Sequence, residues 1–178
     1  MTAADAPPRD WRDQIYTVLK DYQIQQIAYV PDAGHSSVIR SAVADPDIHD
    51  IVLTTEEEGV AIVCGAWLGG QRAALLMQSS GVGNCVNMFS LLQSCRFPFF
   101  TLVTMRGEYA EFNHWQCPMG QATQGALALM GITVLRASRP EDVAEIVSAG
   151  LEAAFVGGQR VAVLLSQSLI GRKQWGSK

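Results

Sequence analysis

The 178-residue chain has no run of lysine or arginine before the short Arg172-Lys173 pair, and its 13 basic residues are outnumbered by 17 acidic ones, giving a net charge of −4. Nucleic acid, which is held through clustered cations, is therefore not an expected partner. Long apolar runs are missing as well. The longest apolar reach, Gly59 to Met77, is interrupted by Gly69-Gly70-Gln71-Arg72, so it reads as a buried helix followed by a strand and not as a membrane span. The opening MTAADAPPRDWRD places acids and prolines where an export signal needs an apolar core, so export is not expected. Cys64, Cys85, Cys95 and Cys117 show no CxxC or other metal-ligand spacing. They are expected to be reduced, mostly buried thiols in a cytoplasmic protein, with no metal bound by the chain itself. There is no internal repeat and no low-complexity segment.

What is present is an ordinary globular composition, 48% apolar and 17% charged, at a length of roughly one domain. Residues 1–8 read as a flexible lead, 9–170 as the single domain and 171–178 as a flexible tail. Asp10 is placed to cap a helix with the apolar face Trp11, Ile15, Val18, Leu19 and Tyr22. The period then changes. Strands are expected at Ile27–Val30, Ile51–Thr54, Ala73–Met77, Phe99–Val103, Ile132–Leu135 and Val161–Leu165. Helices lie between them: from Ser36 or Ser37 to about Val43, Glu56–Leu68, Gly83 to about Ser94, about Pro118 to Met130, and one running to Phe155. Ser138, Pro140 and Glu141 give the last of these a capping-box spacing. Strands such as Ala74-Leu75-Leu76-Met77 are continuously apolar, as strands covered by helices on both faces must be. The fold class is thus α/β, a doubly wound six-stranded parallel sheet.

Such sheets bind ligands outside the carboxyl ends of their strands, which singles out four loops. The loop at Pro31–Ser37 carries Asp32 and His35. Thr54–Glu58 places Glu56, Glu57 and Glu58 on the first turn of a helix that is apolar or small on every side. Acids at a helix start complement its dipole, but a carboxylate leading a buried helix is itself drawn toward burial, where proton transfer can be tuned. These residues alone leave open whether any of the three acts beyond capping, and which. The third loop, Gln78-Ser79-Ser80-Gly81-Val82-Gly83-Asn84, is a glycine-rich strand-to-helix turn, a type that often meets phosphate. It is neither a Walker motif nor GxGxxG. The fourth loop, Thr104–Gly120, carries Arg106, Glu108, Glu111, Asn113, His114, Trp115 and Gln116; loops of that length are commonly functional.

In their order and spacing these segments resemble the pyrimidine-binding (PYR) domain of thiamine-diphosphate enzymes. Glu56 with Gly65 nine positions later, VPDAG (Val30–Gly34), EEEG (Glu56–Gly59), QSSGVGN (Gln78–Asn84) and the Arg106-Gly107-Glu108 stretch carry the resemblance. It runs from about Trp11 to Ile170 and is strongest toward the sulfopyruvate decarboxylase alpha-subunit family and the matching half of phosphonopyruvate decarboxylases. The resemblance implies thiamine diphosphate as cofactor, a 2-oxo acid as substrate, and decarboxylation. Glu56 would be the catalytic carboxylate, sharing a proton with N1′ of the aminopyrimidine, with Glu57 and Glu58 left to cap the helix. Ser80, Gly81, Val82, Gly83 and Asn84 would complete the cofactor contact. Asp32, His35, Gln78, Arg106, Asn113, His114 and Gln116 would line the substrate end.

The Gly-Asp-Gly motif that holds the diphosphate and Mg²⁺ in this family is absent from the sequence. The resemblance therefore implies a beta subunit with the diphosphate-binding (PP) domain, a hetero-oligomer, and at most a non-productive homodimer of the isolated chain. Ala33, where relatives often have serine, leaves the exact substrate open. A carboligase or decarboxylase subunit for another 2-oxo acid, and a non-catalytic partner domain, stand as the alternative readings.

Overall fold

The computed structural model describes residues 10–171; the expected flexible lead, and all but Gly171 of the expected tail, lie outside the described residues. Asp10 accepts a hydrogen bond from the Arg12 amide and so opens α1 (Trp11–Asp21). The chain continues through β1 (Ile24–Tyr29), α2 (Ser36–Ala44), β2 (His49–Val52), α3 (Glu56–Leu68) and β3 (Arg72–Gln78). Next come α4 (Ser79–Cys85), α5 (Phe89–Cys95), β4 (Phe99–Thr104), α6 (Cys117–Leu129), β5 (Thr133–Ala137), α7 (Val143–Phe155), β6 (Arg160–Leu165) and α8 (Gln167–Ile170). Six parallel strands form one sheet in the order β2-β1-β3-β4-β6-β5.

Period-two alternation along each central strand decides which helix it meets. Leu76, Leu102 and Val163 face one side, where Ile15 and Leu19 of α1, Ala42 of α2, and Val147 and Leu151 of α7 cover them. Leu75, Met77, Val103 and Leu164 face the other, against Val60 and Val63 of α3, Val82, Phe89 and Leu127. Because both faces are covered, the strands could afford no polar alternation, which is why the sequence shows apolar runs there.

From β1 the chain steps to β2 on one side, and from β3 onward it builds the sheet on the other, so the direction reverses between β1 and β3. Loops leaving two such neighbouring strands diverge and open a crevice at their carboxyl ends. Among the described residues, no helix is long and apolar enough to cross a membrane.

Several local expectations are corrected. The glycine-rich segment after β3 is helical from Ser79, and the single expected helix is two, broken at 86–88. Ser138 does not cap a helix; it directly follows β5, and its hydroxyl pairs with that of Ser166 at 2.7 Å. The helix α3 is not buried on every side, since Ala61 and Gly65 are exposed and Leu68 is 75% exposed. All four cysteines are free, but only Cys64 and Cys85 are buried, Cys95 being exposed and Cys117 half-buried.

Candidate active site

At the head of α3, Glu56 is 8% exposed, while Glu57 and Glu58 face solvent. Glu58 Oε2 accepts from the Thr54 amide at 2.9 Å, a capping contact across the helix start. Glu56 turns the other way, toward α4. Its Oε2 accepts from Asn84 Nδ2 at 2.9 Å, and its Oε1 has no hydrogen-bond partner among the described residues. That free oxygen lies over the bare α-carbon of Gly81: a β-carbon there would sit 2.5 Å from Glu56 Oε1. Gly81 and Asn84 are three apart on α4, so one helical face supplies both the open space and the amide that fixes the carboxylate. Burial, with the charges of Glu56 and Glu57 nearby, pushes the Cys85 thiol up to about 12, so this neighbour stays protonated.

On the other side of the carboxyl end of β3, at the β1/β3 crevice, a cavity of about 490 Å³ opens. Asp32, Gln78 and Thr104 bring three strand ends together on its wall. Asp32 accepts from Gln78 Nε2 at 3.0 Å, from Thr104 Oγ1 at 2.8 Å and from the Gly34 amide at 3.0 Å. Burial works to raise its pKa, but His35 and these three donors outweigh it and hold the carboxyl below its ordinary value. Asp32 is therefore a charged hub that orients Gln78. Gln78 Oε1 in turn accepts from Ser80 Oγ at 3.0 Å, linking the cavity to the segment that meets Glu56.

Arg106 also lines the cavity. Its Nε and Nη2 each donate to Glu111 at 2.6 Å, and the arginine holds that carboxyl down at about 2. Gly120 permits this arrangement, because any side chain there would collide with the Arg106 carbonyl oxygen. Gln167 fastens the loop to the end of β6. Its Oε1 accepts from the amides of Glu108 and Tyr109 at 3.0 Å, its Nε2 donates to Glu111 at 2.9 Å, and its own amide donates to Glu108 Oε1 at 2.9 Å.

The sequence-predicted residues thus divide. Glu56, Gly81 and Asn84 meet at one point; Asp32, Gln78 and Arg106 meet at the adjoining cavity. Val82 is fully buried in the core and Gly83 faces Met119. His35 does not reach the cavity: it is 1% exposed, with Nε2 3.1 Å from the Met77 carbonyl and Nδ1 without a partner among the described residues. Burial pushes its pKa down against the pull of Asp32, so the ring is neutral at pH 7. Asn113 and His114 are exposed, and Asn113 caps the 3₁₀ turn at His114–Gln116; Gln116 is half-buried, and none of the three lines the cavity. Arg12, Thr104 and Gln167 line the cavity but were not among the expected site residues. Gln167 had a signal: it follows the apolar run Val161–Leu165, a strand end of the same kind as the four loops singled out.

Among the described residues no group of His, Cys, Asp and Glu side chains could hold a metal ion. No protein-family model matches the chain. Sulfopyruvate decarboxylase subunit alpha of Methanococcus maripaludis is 32% identical over 154 residues, covering 86% of this chain and 92% of that one. The protein of the same name from Methanothermobacter thermautotrophicus is 34% identical over 160 residues, covering 89% and 97%. Phosphonopyruvate decarboxylase of Streptomyces viridochromogenes is 35% identical over 89 residues, which are 49% of this chain and 22% of that enzyme. In fold, the chain matches part of a solved 2-oxoglutarate:ferredoxin oxidoreductase from Magnetococcus marinus with a TM-score of 0.75 at 16% identity, covering 91% of this chain and 29% of that one. With a third of positions shared over nearly the full length of both chains, this chain belongs to the sulfopyruvate decarboxylase alpha-subunit family of thiamine-diphosphate enzymes.

Proposed function

We propose that this chain is the alpha, pyrimidine-binding subunit of a two-subunit thiamine-diphosphate-dependent 2-oxo acid decarboxylase acting on sulfopyruvate or a similar 3-substituted pyruvate. The observation that carries the reading is the Glu56 carboxylate, buried, clamped on one oxygen by Asn84 and unpartnered on the other above Gly81. A scaffold domain has no use for a buried carboxylate with a free oxygen, since such a group costs desolvation without return.

Those residues fit the aminopyrimidine. Glu56 Oε1 would accept from the protonated N1′, Asn84 would keep the carboxylate from rotating, and Gly81, bare of a side chain, leaves the carboxylate room to sit where it does. When bound, thiamine diphosphate supplies the electron sink that loss of carbon dioxide from a 2-oxo acid requires. The chain's own contribution is proton placement by Glu56, orientation of the 2-oxo acid by Gln78 and Arg106, and exclusion of water by the loop that Gln167 fastens. The diphosphate and Mg²⁺ would be held by a beta subunit carrying the PP domain. The designation "subunit alpha" in the relatives supports such a partner, as does the lack of Gly-Asp-Gly in this sequence.

The test is co-expression with the partner subunit and measurement of carbon dioxide release from sulfopyruvate. Glu56→Gln should assemble normally and lose ~10²- to 10⁴-fold in turnover, the usual cost of removing a proton-transfer group. A wild-type complex without decarboxylase activity, or a Glu56→Gln complex that turns over at the wild-type rate, would overturn the reading.

A further inference from the structure

We infer that Arg12 is the specificity-determining cation of the β1/β3 cavity, binding the second acid group carried on C3 of a doubly charged 2-oxo acid. The inference rests on the proposed function and names its substrate class. Among the described residues, two guanidinium groups line the cavity, Arg106 from the loop after β4 and Arg12 from the first turn of α1. Because α1 runs antiparallel to β1, its start lies at the carboxyl end of the sheet.

Charge balance separates the two. Arg106 is matched by Glu111 through paired 2.6 Å hydrogen bonds, and Asp32 adds a second negative charge on the same wall, so the described residues other than Arg12 leave it net negative. Without Arg12 that wall would repel a dianion. Arg12 is placed firmly but committed weakly. Its guanidinium lies 4.3 Å from the centre of the Trp11 ring, a platform only 7% exposed. Its Nη1 reaches Asp10 at 3.2 and 3.3 Å, but the Asp10 side chain is 49% exposed. Exposed pairs of this kind contribute little. A sulfonate, phosphonate or second carboxylate entering the cavity can replace Asp10 with a less hydrated charge-assisted contact.

The experiment compares Arg12→Ala and Arg12→Lys with wild type in the alpha–beta complex. The ratio of kcat/KM for sulfopyruvate to that for pyruvate should fall roughly 10- to 100-fold in Arg12→Ala, mainly through KM, and recover in part in Arg12→Lys. In parallel, sulfoacetate, an unreactive molecule bearing a sulfonate and a carboxylate, is titrated calorimetrically into each complex; wild type should bind it and Arg12→Ala should bind it at least ~10-fold more weakly. An unchanged substrate ratio together with equal sulfoacetate affinity overturns the inference, as does an equal loss on both substrates. A complex that releases no carbon dioxide from any 2-oxo acid would sink the proposed function instead, and the sulfoacetate titration would still decide the role of Arg12.

Discussion

Substituting Gly81 by alanine tests the geometry around Glu56 with a single methyl group. The new β-carbon would lie 2.5 Å from Glu56 Oε1 and Cγ, against ordinary contacts near ~3.5 Å, so the carboxylate must withdraw by about 1 Å. Overpacking of this kind costs about 1–3 kcal/mol, offset by up to ~1 kcal/mol because alanine favours the helix over glycine. Net destabilisation should therefore stay below about 3 kcal/mol. Activity should suffer far more, since a displacement of that size at a reacting group commonly costs ~10²-fold. Thermal melting of the chain and kcat of the alpha–beta complex measure the two effects. Gly65→Ala is the control on the isolated chain: nothing lies within 4 Å of the β-carbon position, so it should gain up to ~1 kcal/mol in stability. A Gly81→Ala complex retaining kcat within about threefold, beyond what a 1 Å shift could leave, would refute the assignment of Glu56 as the group that exchanges a proton with the cofactor.

Other substitutions separate capping, latching and charge. Glu57→Gln and Glu58→Gln should change stability by no more than ~1 kcal/mol, as helix-terminal charges do, and leave turnover alone; a large kcat loss in either would move the catalytic role off Glu56. Gln167→Leu removes the acceptor of the half-buried amides of Glu108 and Tyr109 and should cost about 1 kcal/mol, the net worth of an ordinary hydrogen bond. Hydrogen exchange should speed up at those two amides and not in β4, and a uniform change would argue against a local latch. Glu111, held at about 2 against an ordinary 4.5 by Arg106, is a depressed carboxylate, so its stabilisation is complete above about 4.5 and is lost as pH falls toward about 2. The stability gap between wild type and Glu111→Gln in urea unfolding should therefore narrow over that window; a gap that widens on acidification would contradict the Arg106 pairing.

Much of this protein follows from local chemistry. Apolar runs bounded by Gly, Pro and Asp located the strands because both sheet faces had to be covered, and the helix Glu56–Leu68 matches its expected bounds because its acids and its glycine terminus are local signals. The strand-end rule led to the loops that carry Glu56, Asp32, Gln78 and Arg106 without any knowledge of strand order, and the family resemblance chose Glu56 among the three acids. Three things were decided only by tertiary structure. The glycines of Gln78–Asn84 read as a ligand-cradling turn, yet they are helical: Gly81 is small because Glu56, 25 residues earlier, packs against it. His35 and Asp32 are near neighbours in sequence, but one turns into the core toward Met77 and the other toward the cavity, a difference set by which way the chain leaves β1. Arg12 and Gln167, 155 residues apart in sequence, line one cavity because α1 starts and β6 ends at the same edge of the sheet. A sequence records such distant neighbours only as isolated polar residues, since the contacts that give them meaning form when the sheet closes its order.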